Sequence, residues 1–152
     1  MKATPIIKVC GVTRPEDAQQ AIDAGATALG FNFWLKSPRY LDPNKASWIN
    51  LMKTLKVGVF VDEKPERTVE IANELGLDVI QIHRGEAPAN ARHWKAIAIG
   101  DALPESAEAV LIDAPPLGDL PGGTGKTYDW QRAAGLPGRV IIAGGLDGSN
   151  VA

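Results

Sequence analysis

Five short segments of the sequence gather residue types that do acid–base and anion chemistry. Lys8-Val9-Cys10-Gly11 closes the first apolar run, and Lys36-Ser37-Pro38-Arg39-Tyr40 follows the second. Gln81-Ile82-His83 ends the fourth, while Asp113 ends the sixth, ahead of Gly122-Gly123-Thr124-Gly125-Lys126-Thr127. Gly144-Gly145-Leu146 follows the seventh. Cys10 reads either as a proton shuttle or nucleophile, or as a small buried apolar residue, the commoner fate of a cysteine. Strand alternation sets Lys8 and Cys10 on one face, where a cation could stabilise a thiolate. Asp113 closes the apolar run Val110-Leu111-Ile112, so burial demands of it a polar partner or a task. His83 shares a face with Gln81 and Val79 and reads as a satisfied structural histidine or as a ligand group. Arg39, between Pro38 and Tyr40, is either a surface charge or a planar fork that clamps a carboxylate.

The glycines suggest anion binding of a particular kind. A nucleotide P-loop needs Gly, four residues, then Gly-Lys-Ser/Thr, and the residue five before Gly125 is Leu120, so ATP binding is rejected. The dinucleotide fingerprint is also absent after the first run, where the sequence reads CGVTRPEDA. What survives is that Gly122, Gly123 and Gly125, and likewise Gly144 and Gly145, precede expected helix starts near Asp129 and Ser149. There their exposed backbone N–H groups suit a phosphate. His93 and the tryptophans carry no comparable signal.

Positioning these residues is a repeated unit of apolar run, polar loop and amphipathic helix. The runs fall at 6–10, 28–33, 57–61, 79–83, 95–99, 109–113 and 140–143. Short, Val/Ile-rich and mostly uncharged, they read as strands buried on both faces of a parallel sheet. Helices are expected over 14–24, capped by Thr13 and ended by Gly25, and over 66–75, ended by Gly76. Further helices are expected over 43–55 and, briefly, over 129–134. Short connections between alternating strands and helices imply right-handed crossovers. Periodicity alone leaves an open doubly wound sheet and most of a (β/α)8 barrel equally available. In either, ligands gather at the carboxyl ends of the strands.

The 152 residues suit one domain over 1–152, with 45% hydrophobic and 22% charged residues and a net charge of −2. This balance gives no electrostatic footprint for nucleic acid. No apolar run suits a membrane span, and the N-terminus has no secretory pattern. The single Cys rules out a disulfide scaffold and suits a reducing, cytoplasmic setting.

In this order KVCGVTRPEDA, GATALGFNFWLKSPRYL, VGVFVDE, LDVIQIHRGE, LIDA, GGTGKTYDW and IIAGGLDGSNV closely resemble the phosphoribosylanthranilate isomerase family of tryptophan biosynthesis. KVCG, KSPRY, GGTGKTYDW and AGGL are highly specific together, although none is alone. Within QIHRGE, Arg84 and Gly85 replace the Gly and acidic residue expected. The resemblance implies a (β/α)8 TIM barrel and an Amadori rearrangement of a phosphosugar, with no metal or organic cofactor. It implies Asp113 as general acid and Cys10 as general base, and Arg39 as anchor of the anthranilate carboxylate. It implies the phosphate site in Gly122, Gly123, Gly125, Gly144 and Gly145, with His83 among the substrate-binding residues. A free Asp titrates near ~3.9, so burial must raise Asp113 for it to donate a proton at neutral pH.

Seven strands are expected where this family has eight. Such barrels run to roughly 200 residues or more, so the last β/α unit is expected to be missing. The first and seventh strands would then be open edges through which the chain self-associates. Activity would depend on restoring that unit, and a non-catalytic fragment is the alternative. A related barrel lyase of the indole-glycerol-phosphate synthase type would want a catalytic Lys and Glu where Cys10 and Asp113 stand.

Overall fold

The computed structural model describes residues 4–151. Seven strands form one parallel sheet: β1 (Lys8–Cys10), β2 (Ala28–Asn32), β3 (Leu55–Phe60), β4 (Val79–Ile82), β5 (His93–Ala98), β6 (Ala109–Asp113) and β7 (Val140–Ile142). They lie side by side in chain order, each parallel to the next. A doubly wound sheet reverses its strand order at a switch point; here there is no reversal. The sheet is also curled. Ala28 of β2, Val57, Val79, Trp94, Ala109 and Ile141 of β7 pack into one interior cluster, which a flat sheet would hold strands apart. This is the (β/α)8-type architecture, with Trp94 fully buried at its floor.

Two helices cover the outer face of β2–β4: α1 (Pro15–Asp23) and α2 (Pro65–Leu75). Thr13 does not cap α1, contrary to expectation. Pro15 at the first helical position pushes Arg14 into an extended conformation, so the boundary falls one residue later. The Arg14 guanidinium instead pairs with Asp17 at 2.7 Å. The α2 helix starts after Lys64 by the same proline device, and ends on Gly76 in the left-handed region as expected.

The expected 43–55 helix is replaced by two 3₁₀ turns, Pro43–Lys45 and Ser47–Leu51, and Leu55 already belongs to β3. Asn, Ser and Trp are mediocre helix formers, and Trp48 is drawn edge-on against Phe31 of the core. Likewise the 129–134 helix is a single 3₁₀ turn, Trp130–Ala133. No helix follows β4 or β5, where Pro88 and Pro104 interrupt the connections. The first of these connections is fastened from β5, where the Lys95 ammonium donates to the His83 carbonyl at 3.2 Å. Among the described residues no helix is long and apolar enough to cross a membrane.

Candidate active site

One cavity of about 390 Å³ opens at the carboxyl ends of the strands, lined by segments from β1 through the loop after β7. Lys8 and Cys10 of β1, Arg39 after β2, His83 after β4, Asp113 of β6, Gly122, Gly123 and Gly125, and Gly144 and Gly145 all reach it. The candidate acid, base, carboxylate anchor, histidine and glycines of the sequence therefore converge on one space, whereas Lys36, Thr124 and Lys126 of the same segments do not line it.

Asp113 is the buried end of β6. Its Oδ1 accepts the Ala114 backbone N–H at 2.7 Å. Burial pushes its carboxyl above the ordinary aspartate range. The Ala114 and Gly123 N–H groups and the Lys8 and Arg39 charges oppose that shift without cancelling it. Two glycines make the approach to this carboxyl possible. A Cβ on Gly122 would stand 2.5 Å from Oδ2, and one on Gly144 would stand 3.0 Å from Oδ1.

Cys10 is exposed, so the reading of it as a buried apolar residue does not hold. It stands with Lys8 over Gly30 of β2, where a Cβ would lie 2.6 Å from Sγ and 3.1 Å from the Lys8 Cε. Thiol and ammonium thus share the inward face of β1, as alternation predicts.

Arg39 is carried by a loop that hydrogen-bonds to itself. Ser37 N–H donates to the Trp34 carbonyl at 2.9 Å, and Arg39 N–H donates to Ser37 Oγ at 3.1 Å. Its guanidinium passes against Gly11 and Gly123. Trp34, on the same loop, also lines the cavity. Its sequence carried no periodic signal, because a lone aromatic in a loop looks like any other.

His83 is held by protein partners. Its Nε2 accepts from the Gln81 side-chain amide at 3.0 Å, and the ring also donates to the Pro121 carbonyl. The Gln81 contact supports the structural reading, while the ring also lines the cavity, where the substrate-binding reading would place it. Burial, with the Lys8 and Lys95 charges, pushes the imidazole down to about 4. The unfolded chain therefore binds this proton more tightly between about pH 4 and 6.5, and native stability is lost as pH falls through that window. Acid unfolding of His83→Gln should show a shallower loss there, by up to about 3 kcal/mol. Denaturant melts at pH 7 and pH 4.5 check this, and parallel losses in the two proteins would refute it.

The glycine loops meet each other: a Cβ on Gly145 would lie 2.9 Å from the Lys126 carbonyl carbon. The helix starts expected behind them are not α-helical. A 3₁₀ turn follows Asp129, and a turn on Asp147, whose carboxylate accepts the Ser149 N–H at 2.8 Å, follows Gly145. An anion seated here would meet loop N–H groups rather than helix dipoles. Tyr128 fastens the first loop to β6 by donating to the Ile112 carbonyl at 3.0 Å.

A curled parallel sheet with a thiol, a buried carboxyl and a guanidinium around one cavity at its strand ends defines a barrel enzyme of the acid–base class. The sequence profile described as N-(5'phosphoribosyl)anthranilate (PRA) isomerase matches residues 7–152. The chain is 47% identical over 159 aligned residues to the N-(5'-phosphoribosyl)anthranilate isomerase of Solibacter usitatus, covering 97% of this chain and 78% of that protein. The crystal structure of phosphoribosyl anthranilate isomerase from Thermus thermophilus superimposes with a TM-score of 0.82 at 33% identity, covering 97% of this chain and 80% of that one. A phosphoribosyl anthranilate isomerase in complex with reduced 1-(o-carboxyphenylamino)-1-deoxyribulose 5-phosphate superimposes at 0.72 and 28% identity, over 97% of this chain and 79% of that one. The chain belongs to the N-(5'-phosphoribosyl)anthranilate isomerase family.

Proposed function

We propose that this isomerase of tryptophan biosynthesis runs its Amadori rearrangement on Cys10 and Asp113, with Arg39 holding the aromatic carboxylate. The neutral Asp113 carboxyl donates its proton to the furanose ring oxygen of phosphoribosylanthranilate. The C1′–O bond breaks and the nitrogen lone pair closes a C1′=N iminium. The Cys10 thiolate then removes the C2′ proton, and that electron pair forms C1′=C2′ as the iminium nitrogen regains its lone pair. The resulting enaminol loses its hydroxyl proton, gains one at C1′, and becomes the aminoketose 1-(o-carboxyphenylamino)-1-deoxyribulose 5-phosphate. The loops carrying Gly122, Gly123, Gly125, Gly144 and Gly145 bind the phosphate, the Gly123 N–H remaining on the Asp113 carboxyl, while His83 keeps the 121–123 loop over Asp113.

The observation that carries this reading is the convergence of Cys10, Asp113 and Arg39 on one cavity. The lone thiol supports a cytoplasmic setting, and the single sheet supports one domain over 1–152. The test is direct: the chain extended by the last β/α unit of a family member should convert phosphoribosylanthranilate to the aminoketose, and absence of conversion refutes the reading. Arg39→Ala should raise KM by roughly 10- to 100-fold, the worth of a charge-assisted bidentate contact, with kcat little changed. Arg39→Lys should recover only part of this, since an ammonium cannot reproduce the fork. A fall in kcat at constant KM would remove the anchor role.

A further inference from the structure

Arg84 stands where the family resemblance leads one to expect glycine, and its guanidinium is engaged on two sides. Its Nε donates to the Asp62 carboxylate at 3.1 and 3.2 Å and its terminal amine donates at 2.6 Å. The backbones are tied as well, with Asp62 N–H donating to the Arg84 carbonyl at 3.1 Å. Asp62 is the non-glycine residue of the described chain with a positive φ, +54°, which an aspartate tolerates better than most side chains. On its other side the guanidinium lies over the Trp34 ring, 6.0 Å from the centroid. Arg84 and Asp62 are both partly open to solvent, where an ion pair adds little to stability. Such a planar, doubly held group is better suited to fixing an orientation.

Trp34 is the one aromatic side chain lining the cavity among the described residues, and it rides on the same loop as Arg39. A ligand that seats a carboxylate on Arg39 brings whatever ring bears that carboxylate toward the indole. We infer that Trp34 is the wall against which the aminobenzoate ring of the substrate packs, and that Arg84, held by Asp62, is the positioning residue that fixes this wall. This rests on the proposed substrate. Through Arg84 and Asp62 the loops after β2, β3 and β4 form one linked rim, which the simple glycine would not supply.

The test uses the full chain and two probes. The product aminoketose, titrated directly by its aromatic fluorescence, reads the ring end. Inorganic phosphate, as a competitive ligand, reads the other end. Trp34→Ala should weaken product binding by roughly tenfold, and Arg84→Gly by about three- to tenfold, the scale of aromatic and cation–π contacts. Phosphate affinity should be unchanged in both, and kcat should stay near wild type while KM rises. Asp62→Asn should reproduce Arg84→Gly, and Trp34→Phe should restore most binding. Equal weakening of phosphate and product, or no weakening of product, overturns the inference. Should wild type bind the product yet fail to isomerise, the isomerase reading falls while the binding comparison still decides the role of Trp34 and Arg84.

Discussion

Asp113→Asn should lower kcat by roughly 10²–10⁴-fold, the usual worth of a positioned general acid, with KM changed little. Asparagine keeps the shape and its oxygen can still accept the Ala114 N–H that Asp113 accepts at 2.7 Å, so the loop has no reason to move. What it lacks is a proton to give to the ring oxygen. The raised proton affinity of Asp113 comes first from burial, and the neutral acid is the competent form. Wild-type kcat/KM should therefore fall as pH rises through this elevated value. The folded state holds this proton more tightly than the unfolded chain, so the contribution of Asp113 to stability is complete below the ordinary aspartate range and is lost as pH rises through the elevated one. Activity and stability should thus decline over the same interval. Steady-state kinetics beside a thermal melt check the assignment; an Asn variant with near wild-type kcat would remove the acid from Asp113.

Cys10→Ser should likewise cost roughly 10²–10⁴-fold in kcat, because a hydroxyl beside Lys8 remains a far weaker base than a thiolate. A second measurement is available here. Cys10 is the single cysteine of the chain and is exposed at the cavity, so alkylation with iodoacetamide labels it alone. Labelling should abolish turnover, and the product aminoketose should slow it. Alkylated protein that retains full turnover would exclude the thiol as base.

The strands were legible because burial on both faces leaves Val/Ile runs that almost any parallel strand shares. Their ends were less so: β3 begins at Leu55 and β5 at His93, where the polar Lys56 and His93 made the apolar pattern start later. Periodicity could not separate an open sheet from a curled one, since that depends on which strands meet across the interior, as Ala28 and Ile141 do. Thr13 misled because a proline two residues on sets the helix start more firmly than a capping hydroxyl. At the site, Cys10 and Asp113 were visible from type and position at strand ends. Of the His83 neighbours, Gln81 follows from their shared strand face two residues apart, whereas the approach of the Gly122 loop joins distant segments and is fixed only once the loops fold. Arg84 departs openly from the family pattern, yet its contact with Trp34 joins loops distant in sequence and exists only in the folded chain.

Each strand of the sheet lies beside the one made just before it, so the scaffold can grow in the order of synthesis, every new segment docking on a finished edge. The thiol emerges at the start of that growth and the carboxyl near its end. Acid and base therefore meet only after the intervening strands have been laid down, and a nascent chain that stalls midway holds a half-built hollow with no proton donor. In a chain threaded this way, the proposed proton donor and acceptor come together only once assembly has run through β6.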